Sequence, residues 1–382
     1  MSNTKSKQRA NISFAAIDPY VETNIVSARE RRLPGKSFVE WGDGNLYPDY
    51  LYSLSENVAT LSSVIDGCVD YIVGDDITIL PLRPHYDEGV VNAKGETIRE
   101  QVSDVGRSEE TYGGFALQVI RGKDGQPSEI YHIDMRFLRT DKECEVFYYC
   151  EDWSRKGSKQ VIVYPKFMPS IADKWATMTD EERNRHASSI LYVKSTRSKT
   201  YPSPKYAAAV KACETERCID DFHLNAINNG FTGSYIVNFN NGAPTPEVQE
   251  EVEKNFNEKF AGHQNAGRIA FCWNASKATA TSIEQVKVED FGEKYKSLEA
   301  SARQRIFTAF RANPNLFGIP TENLGFSNEE YESAFRLFNR THIRPIQRKI
   351  ADAYDKIYGQ KGVLTIKPFS LDGESATEEI VN

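Results

Sequence analysis

The residues of this 382-residue sequence whose types and spacing could do chemistry are few and scattered. Gly35-Lys36-Ser37 matches the end of a phosphate-binding loop, where backbone N–H groups and a lysine cradle a nucleotide. That loop needs a glycine where Glu30 stands and a strand before it, and neither is present. His132-Ile133-Asp134 would place an imidazole and a carboxylate on one side of a strand, as two metal ligands require. No further histidine stands at ligand spacing, so a satisfied strand histidine is the more economical reading. Cys213 and Cys218, five apart on a helix, point to different faces and read as packing residues. The acid pairs Asp75-Asp76 and Asp220-Asp221 diverge on regular structure and face solvent. Serine-nucleophile elbows, zinc-protease motifs and Gly-rich dinucleotide loops are missing. No catalytic residue, metal or cofactor is expected.

Composition narrows the field further. With 54 acidic against 47 basic side chains, the formal charge is −7. A protein that grips nucleic acid tightly carries a basic excess, whereas a mildly acidic wall would let DNA slide past without sticking. Cys68, Cys144, Cys150, Cys213, Cys218 and Cys272 contain no CxxC, and a disulfide framework is not expected in a chain of this length. Met1–Ala10 is polar and no run is long enough to cross a bilayer. These features predict a soluble protein folded in a reducing cytoplasm, without a membrane partner.

The elements that must position any site are organised around residues 201–320. Tyr201-Pro202-Ser203-Pro204 bars helix before it and presets a first turn. Ala208, Ala212, Ile219, Phe222 and Ala226 then recur at helical spacing, and Asn228-Asn229-Gly230 stops the helix. A second helix over 288–311 carries Phe291, Tyr295, Leu298, Ala302, Ile306 and Ala309 on one face. Each would span roughly 30 Å. Between them lies a small βαβ-like unit: strand 234–239, a helix capped by Thr245 with Pro246 at its first position, and strand 268–273. That unit is too small to stand alone and wants partners. Upstream, residues 1–40 read as an extended arm with a basic cluster at Arg29, Arg31, Arg32 and Lys36. Helices follow over 49–56 and 59–73, and a weakly patterned one over 92–112. A β-rich stretch over 113–195, with a polar insertion at 177–185, packs on them as an α+β body. Downstream, Ser327-Asn328-Glu329-Glu330 is a capping box that opens a helix to 358. Pro345 should kink that helix. A strand at 363–366 and a disordered acidic tail from 371 close the chain.

Around the two helices the sequence resembles the portal proteins of tailed double-stranded-DNA bacteriophages. Three stretches carry the resemblance. Tyr201-Pro202-Ser203-Pro204 precedes an Ala-rich helix and Asn-Gly. Phe260-Ala261-Gly262 through Asn265-Ala266-Gly267-Arg268-Ile269 is similar to the family's glycine-bearing step into a strand. Phe291–Phe310 followed by Ala312-Asn313-Pro314-Asn315-Leu316-Phe317-Gly318 resembles its helix-and-loop signature, although Ala312-Asn313 departs from the usual Val-Pro. The resemblance runs from Trp41 to Gly359 and is strongest after Tyr201.

What the resemblance implies is a twelve-fold ring at one capsid vertex, part of the virion and assembled in the bacterial host cytoplasm, through which DNA enters and leaves. Residues 41–200 would be a wing, 201–230 and 283–311 the two stem helices, 231–282 a clip, 312–326 a tunnel loop, and 327–370 a wing and crown segment. In the clip, Tyr235, Val237, Phe239, Arg268, Phe271 and Trp273 would serve contacts between subunits and docking of the packaging motor (the terminase large subunit) and head–tail adaptors. Major capsid and scaffold proteins are the other implied partners. Lys294, Lys296, Arg303 and Arg305 would offer the stem's weak contacts to phosphate. Asn313, Pro314, Asn315, Gly318, Thr321 and Asn323 would form the loop that touches DNA without trapping it. The alternatives are a DNA-processing enzyme built on the α+β body, or a different head–tail adaptor ring.

Overall fold

The structure, a computed structural model, describes residues 12–14, 25–33, 35–80, 89–154, 161–194, 200–228, 235–239, 245–260, 269–273, 291–319 and 328–370. At 12–14, 225–228, 235–239, 253, 255–260, 269–273, 291–294 and 328 it describes the backbone alone. In chain order the first elements are β1 (Ile12–Phe14), α1 (Tyr47–Asn57), α2 (Ala59–Val73), β2 (Asp76–Ile79) and α3 (Ile98–Tyr112). Then come β3 (Gly114–Arg121), β4 (Pro127–Ile133), β5 (Leu138–Thr140), β6 (Val146–Tyr149), β7 (Ile162–Pro165), α4 (Ile171–Lys174), α5 (Asp180–His186) and β8 (Ser188–Lys194). The remainder are α6 (Val210–Asn228), β9 (Tyr235–Phe239), α7 (Pro246–Phe260), β10 (Ile269–Trp273), α8 (Phe291–Phe310), α9 (Asn328–Phe338), α10 (Arg344–Tyr358) and β11 (Leu364–Lys367). Helices thus mix with small sheets, the coarse α+β class expected. Two compact units form, one of Met1–Asn24 with Thr215–Ala300, the other of Ile25–Glu214 with Ser301–Asn382.

The larger unit is built on α2. Its Leu61, Val64, Ile65, Cys68 and Ile72 are wholly buried, three and four residues apart, and each such aliphatic contributes about 1.5–3 kcal/mol by leaving water. Gly106 of α3 lets the two helices close, since a methyl there would touch Ile72. The helix expected over 92–112 begins only at Ile98, where Thr97 and Glu100 form a reciprocal capping box. It ends at Gly113, left-handed at φ 83, where a β-carbon would lie 2.2 Å from the Ser203 carbonyl oxygen. Two three-stranded sheets follow, in the orders β4-β3-β8 and β5-β6-β7, and a third pairs β11 with β2. The polar insertion expected at 177–185 is largely a helix, α5, started by a second capping box at Thr179 and Glu182. The buried Arg139 fixes the turn before α1: its guanidinium donates to the side chain and carbonyl of Asn45, which sits at φ 66. Burial lowers the Arg139 pKa to about 10.

The long helix expected over 327–358 is present as α9, a π turn at Asn339–Ile343 and α10; Ser327 itself lies outside the described residues. Where a kink was expected at Pro345, the helix instead makes that π turn just before the proline, whose ring has no N–H to give the Thr341 carbonyl. Within the turn the Arg344 N–H donates to the Asn339 carbonyl, five residues back. Upstream, the residues after Pro204 form a 3₁₀ turn at Lys205–Ala209 before α6 proper begins.

The smaller unit contains the insert as a βαβ: β9 and β10 are parallel, with α7 between them in sequence. Within it Phe222 of α6 stacks on Tyr295 of α8, ring centroids 4.8 Å apart. Residues 1–40 were expected to be an arm without periodic structure, yet Ile12–Phe14 adds β1 antiparallel to β10. A three-residue strand is too short for alternation to reveal it. The rest of residues 1–24, the arm's Pro34 and the tail 371–382 lie outside the described residues.

Candidate functional site

The four cations of α8 do not share one side of the helix. Lys294 and Arg305 are eleven residues apart and Lys296 and Arg303 seven, so at about 100° per residue each pair is nearly in line. The pairs themselves fall on opposite sides, roughly 160–200° apart. Ala302, Ile306 and Phe310, all buried, run between them. Lys296, Arg303 and Arg305 are exposed, whereas the Lys294 side chain lies outside the described residues. One surface can therefore receive one pair only.

The loop after α8 is a tethered turn. Arg311 takes φ 55 and Ala312 donates to the Phe307 carbonyl, closing the helix in a left-handed cap. Asn313 then caps a 3₁₀ turn, Pro314–Phe317, by accepting from the Asn315 N–H at 3.1 Å, and Gly318 ends it at φ 73. Leu316 is buried, and its carbonyl accepts from the Tyr71 hydroxyl at 2.9 Å. Phe317 packs against Phe307, Tyr71 and Phe338. The Asn313 oxygen is thus engaged in holding the turn, and Gly318 is the exposed tip. Thr321 and Asn323 lie outside the described residues.

In the insert, β9 and β10 run in register with Tyr235 opposite Ile269, Val237 opposite Phe271 and Phe239 opposite Trp273. Alternation along a strand gives these six apolar positions one face. Arg268 lies outside the described residues. β10 is paired on both sides, while β9 has no second strand partner among the described residues.

The chemically active types mostly serve the fold. Asp134 caps the turn after β4 and pairs with Arg136 at 2.7 Å, so it is not available beside His132 as a ligand. Burial lowers the His132 pKa, with Asp104 opposing it. Lys36 pairs with Glu40 rather than guarding a phosphate site. Sequence inspection missed a buried polar cluster. The His342 Nε2 lies 2.8 Å from Glu110 Oε1 and 3.1 Å from the Lys205 ammonium, which is 3.5 Å from the same carboxylate oxygen. Cys68 Sγ is 3.9 Å from that nitrogen. Burial alone would raise the Glu110 pKa, but Lys205 and His342 hold it down to about 2, so it is a carboxylate. The Cys68 thiol is pushed well up by burial and by Glu110. These groups come from α2, α3, the turn before α6 and the π turn, separations that no sequence window brings together.

The family model described as phage portal protein matches residues 102–373. A chain from the neck of an empty gene transfer agent particle, computed with C6 symmetry, is 17% identical with a TM-score of 0.52 over 85% of each chain. The corresponding neck of the native particle, computed with C12 symmetry, is 17% identical with a TM-score of 0.48 over 92% of this chain and 88% of that one. A portal protein of the HK97 phage family from Corynebacterium diphtheriae is 9% identical, with a TM-score of 0.45 over 82% of this chain and 92% of that one. No curated protein matches the chain. Among the described residues no helix is long and apolar enough to cross a membrane.

Proposed function

Because the chain belongs to the phage portal protein family, whose members are structural rather than enzymatic, we propose that twelve copies close into a ring at one capsid vertex. That ring is the channel for DNA packaging and ejection. The observation that carries the proposal is the extent of the family match. Its bounds, residues 102–373, enclose α6, the βαβ insert, α8, the 312–319 turn and α9–α10.

The residue-level features support this reading. α6 and α8 form the stem, and the insert 231–282 is the clip. An apolar sheet face and a β9 edge without a second strand among the described residues suit contact with a second copy, as ring closure demands. The terminase large subunit and head–tail adaptors dock on that clip in turn, with capsid and scaffold proteins around the wing, 41–200. One of the two cation pairs on α8 lines the channel. The 312–326 loop narrows it, its tip held by Leu316 and Phe317 rather than free to swing. A net charge of −7 keeps the wall from trapping phosphate.

Native mass spectrometry of the purified chain, followed by axial class averages of the particles, tests this directly. A closed ring of about twelve subunits with an open centre is expected. A chain that stays monomeric even with scaffold protein at high concentration would overturn it.

A further inference from the structure

We propose that Cys68, Glu110 and His342 form a binding site for one thiophilic divalent metal ion, Zn²⁺ by its chemistry, for which the Lys205 ammonium is the competing occupant. The inference is independent of the channel reading. A thiol, an imidazole and a carboxylate, all buried, present ligand atoms within 4.8 Å of one another. That donor set, one sulfur, one nitrogen and one oxygen, suits zinc above the harder divalent ions. Tetrahedral zinc with its usual bond lengths sets ligand atoms about 3.3–3.7 Å apart. The His342–Glu110 contact of 2.8 Å would open slightly, and the Cys68–His342 separation of 3.9 Å would close slightly.

A second observation points to a ligand at this site. Glu110 Oε2 is buried without a hydrogen-bond partner among the described residues. Leaving a buried carboxylate oxygen unmet costs free energy that a metal would recover. The His342 ring is also held for the task, stacked on Phe338 at 4.8 Å with an 18° interplanar angle.

Charge decides between occupants. With Lys205 in place, one ammonium balances one carboxylate and the thiol keeps its proton. With a divalent ion in place, thiolate and carboxylate together balance it, the thiol proton passes to water, and the ammonium must leave. Lys205 can leave, because its side chain is 34% exposed while Glu110 is fully covered. A water in the vacated space would complete the tetrahedron. Binding would clamp α2 and α3 to the π turn.

The test uses the full chain, stripped by chelator and titrated with Co²⁺ alone, read as a thiolate-to-cobalt charge-transfer band and as bound metal per chain. One Co²⁺ per chain is expected, with the band lost in Cys68→Ser. Lys205→Met, which removes the competing charge, should tighten binding about tenfold or more. If Cys68→Ser fails to fold by circular dichroism, the Lys205→Met comparison carries the test. No uptake by the folded native chain overturns the proposal. So does uptake by Lys205→Met alone, since the lysine is then the resident cation, and so does an unchanged band in folded Cys68→Ser.

Discussion

A methyl group at Gly67 of α2 would lie 2.5 Å from Cδ1 of Phe317, so the turn after α8 rests on bare helix backbone. The contact fixes where the exposed Gly318 tip stands. Alanine at an ordinary helical glycine gains about 1 kcal/mol, but overpacking here costs about 1–3 kcal/mol. Gly67→Ala should therefore lose up to about 2 kcal/mol in urea unfolding. Adding Phe317→Leu should recover part of that loss; a double variant no better than the single one would count against the contact.

The opposition of the two cation pairs on α8 yields a sharper functional expectation. Reversing charge at Lys294 and Arg305 together, or at Lys296 and Arg303 together, should separate two roles. One double variant should lower the DNA packaged per particle several-fold. The other should leave the DNA packaged per particle near the native level. Equal loss of packaging in both would mean that α8 does not present one side to DNA.

Arg311 ends α8 in the left-handed region at φ 55. An L-residue pays roughly 1–2 kcal/mol for that conformation and glycine almost nothing. Arg311→Gly should raise stability by about 1 kcal/mol, less what the freer unfolded chain takes back. A fall in the urea midpoint would show that the arginine side chain holds something the cap does not.

Tyr47, at the start of α1, has its pKa pushed up by burial to about 12. A raised folded pKa means stability that is fully present below pH 10, the unfolded value, and lost as pH climbs through 12. The shift is worth about 3 kcal/mol at most. Tyr47→Phe should match the native chain at pH 8 and fall less steeply between pH 10 and 12. Identical slopes would place the alkaline loss on the other buried tyrosines, among them Tyr206 and Tyr354, whose pKa values are likewise raised by burial.

Much of the secondary structure could be read from the chain because it rests on local rules. The span of α2 and the start of α7 at Pro246 are both decided within a few residues. Two helix starts were misjudged although Thr97-x-x-Glu100 and Thr179-x-x-Glu182 announce them, because weak apolar periodicity outweighed the caps. β1 escaped notice because the strand it pairs with among the described residues, β10, is more than 250 residues away. The site was less legible still. The helix wheel alone separates the α8 cations, yet Asn313's engagement with Asn315 and the Glu110–His342 cluster need coordinates.

The π turn at Asn339–Ile343 also sets where this chain can change in length. It holds one residue more than an α-helix would over the same rise. Deleting one residue there would restore a regular helix and leave α9 in phase with α10. A deletion within α10 would instead rotate everything upstream of it by about 100°. Phe335 and Phe338 would then leave the core, though no contact residue had been altered. Changes of length are therefore screened by phase in α10 and absorbed in the π turn.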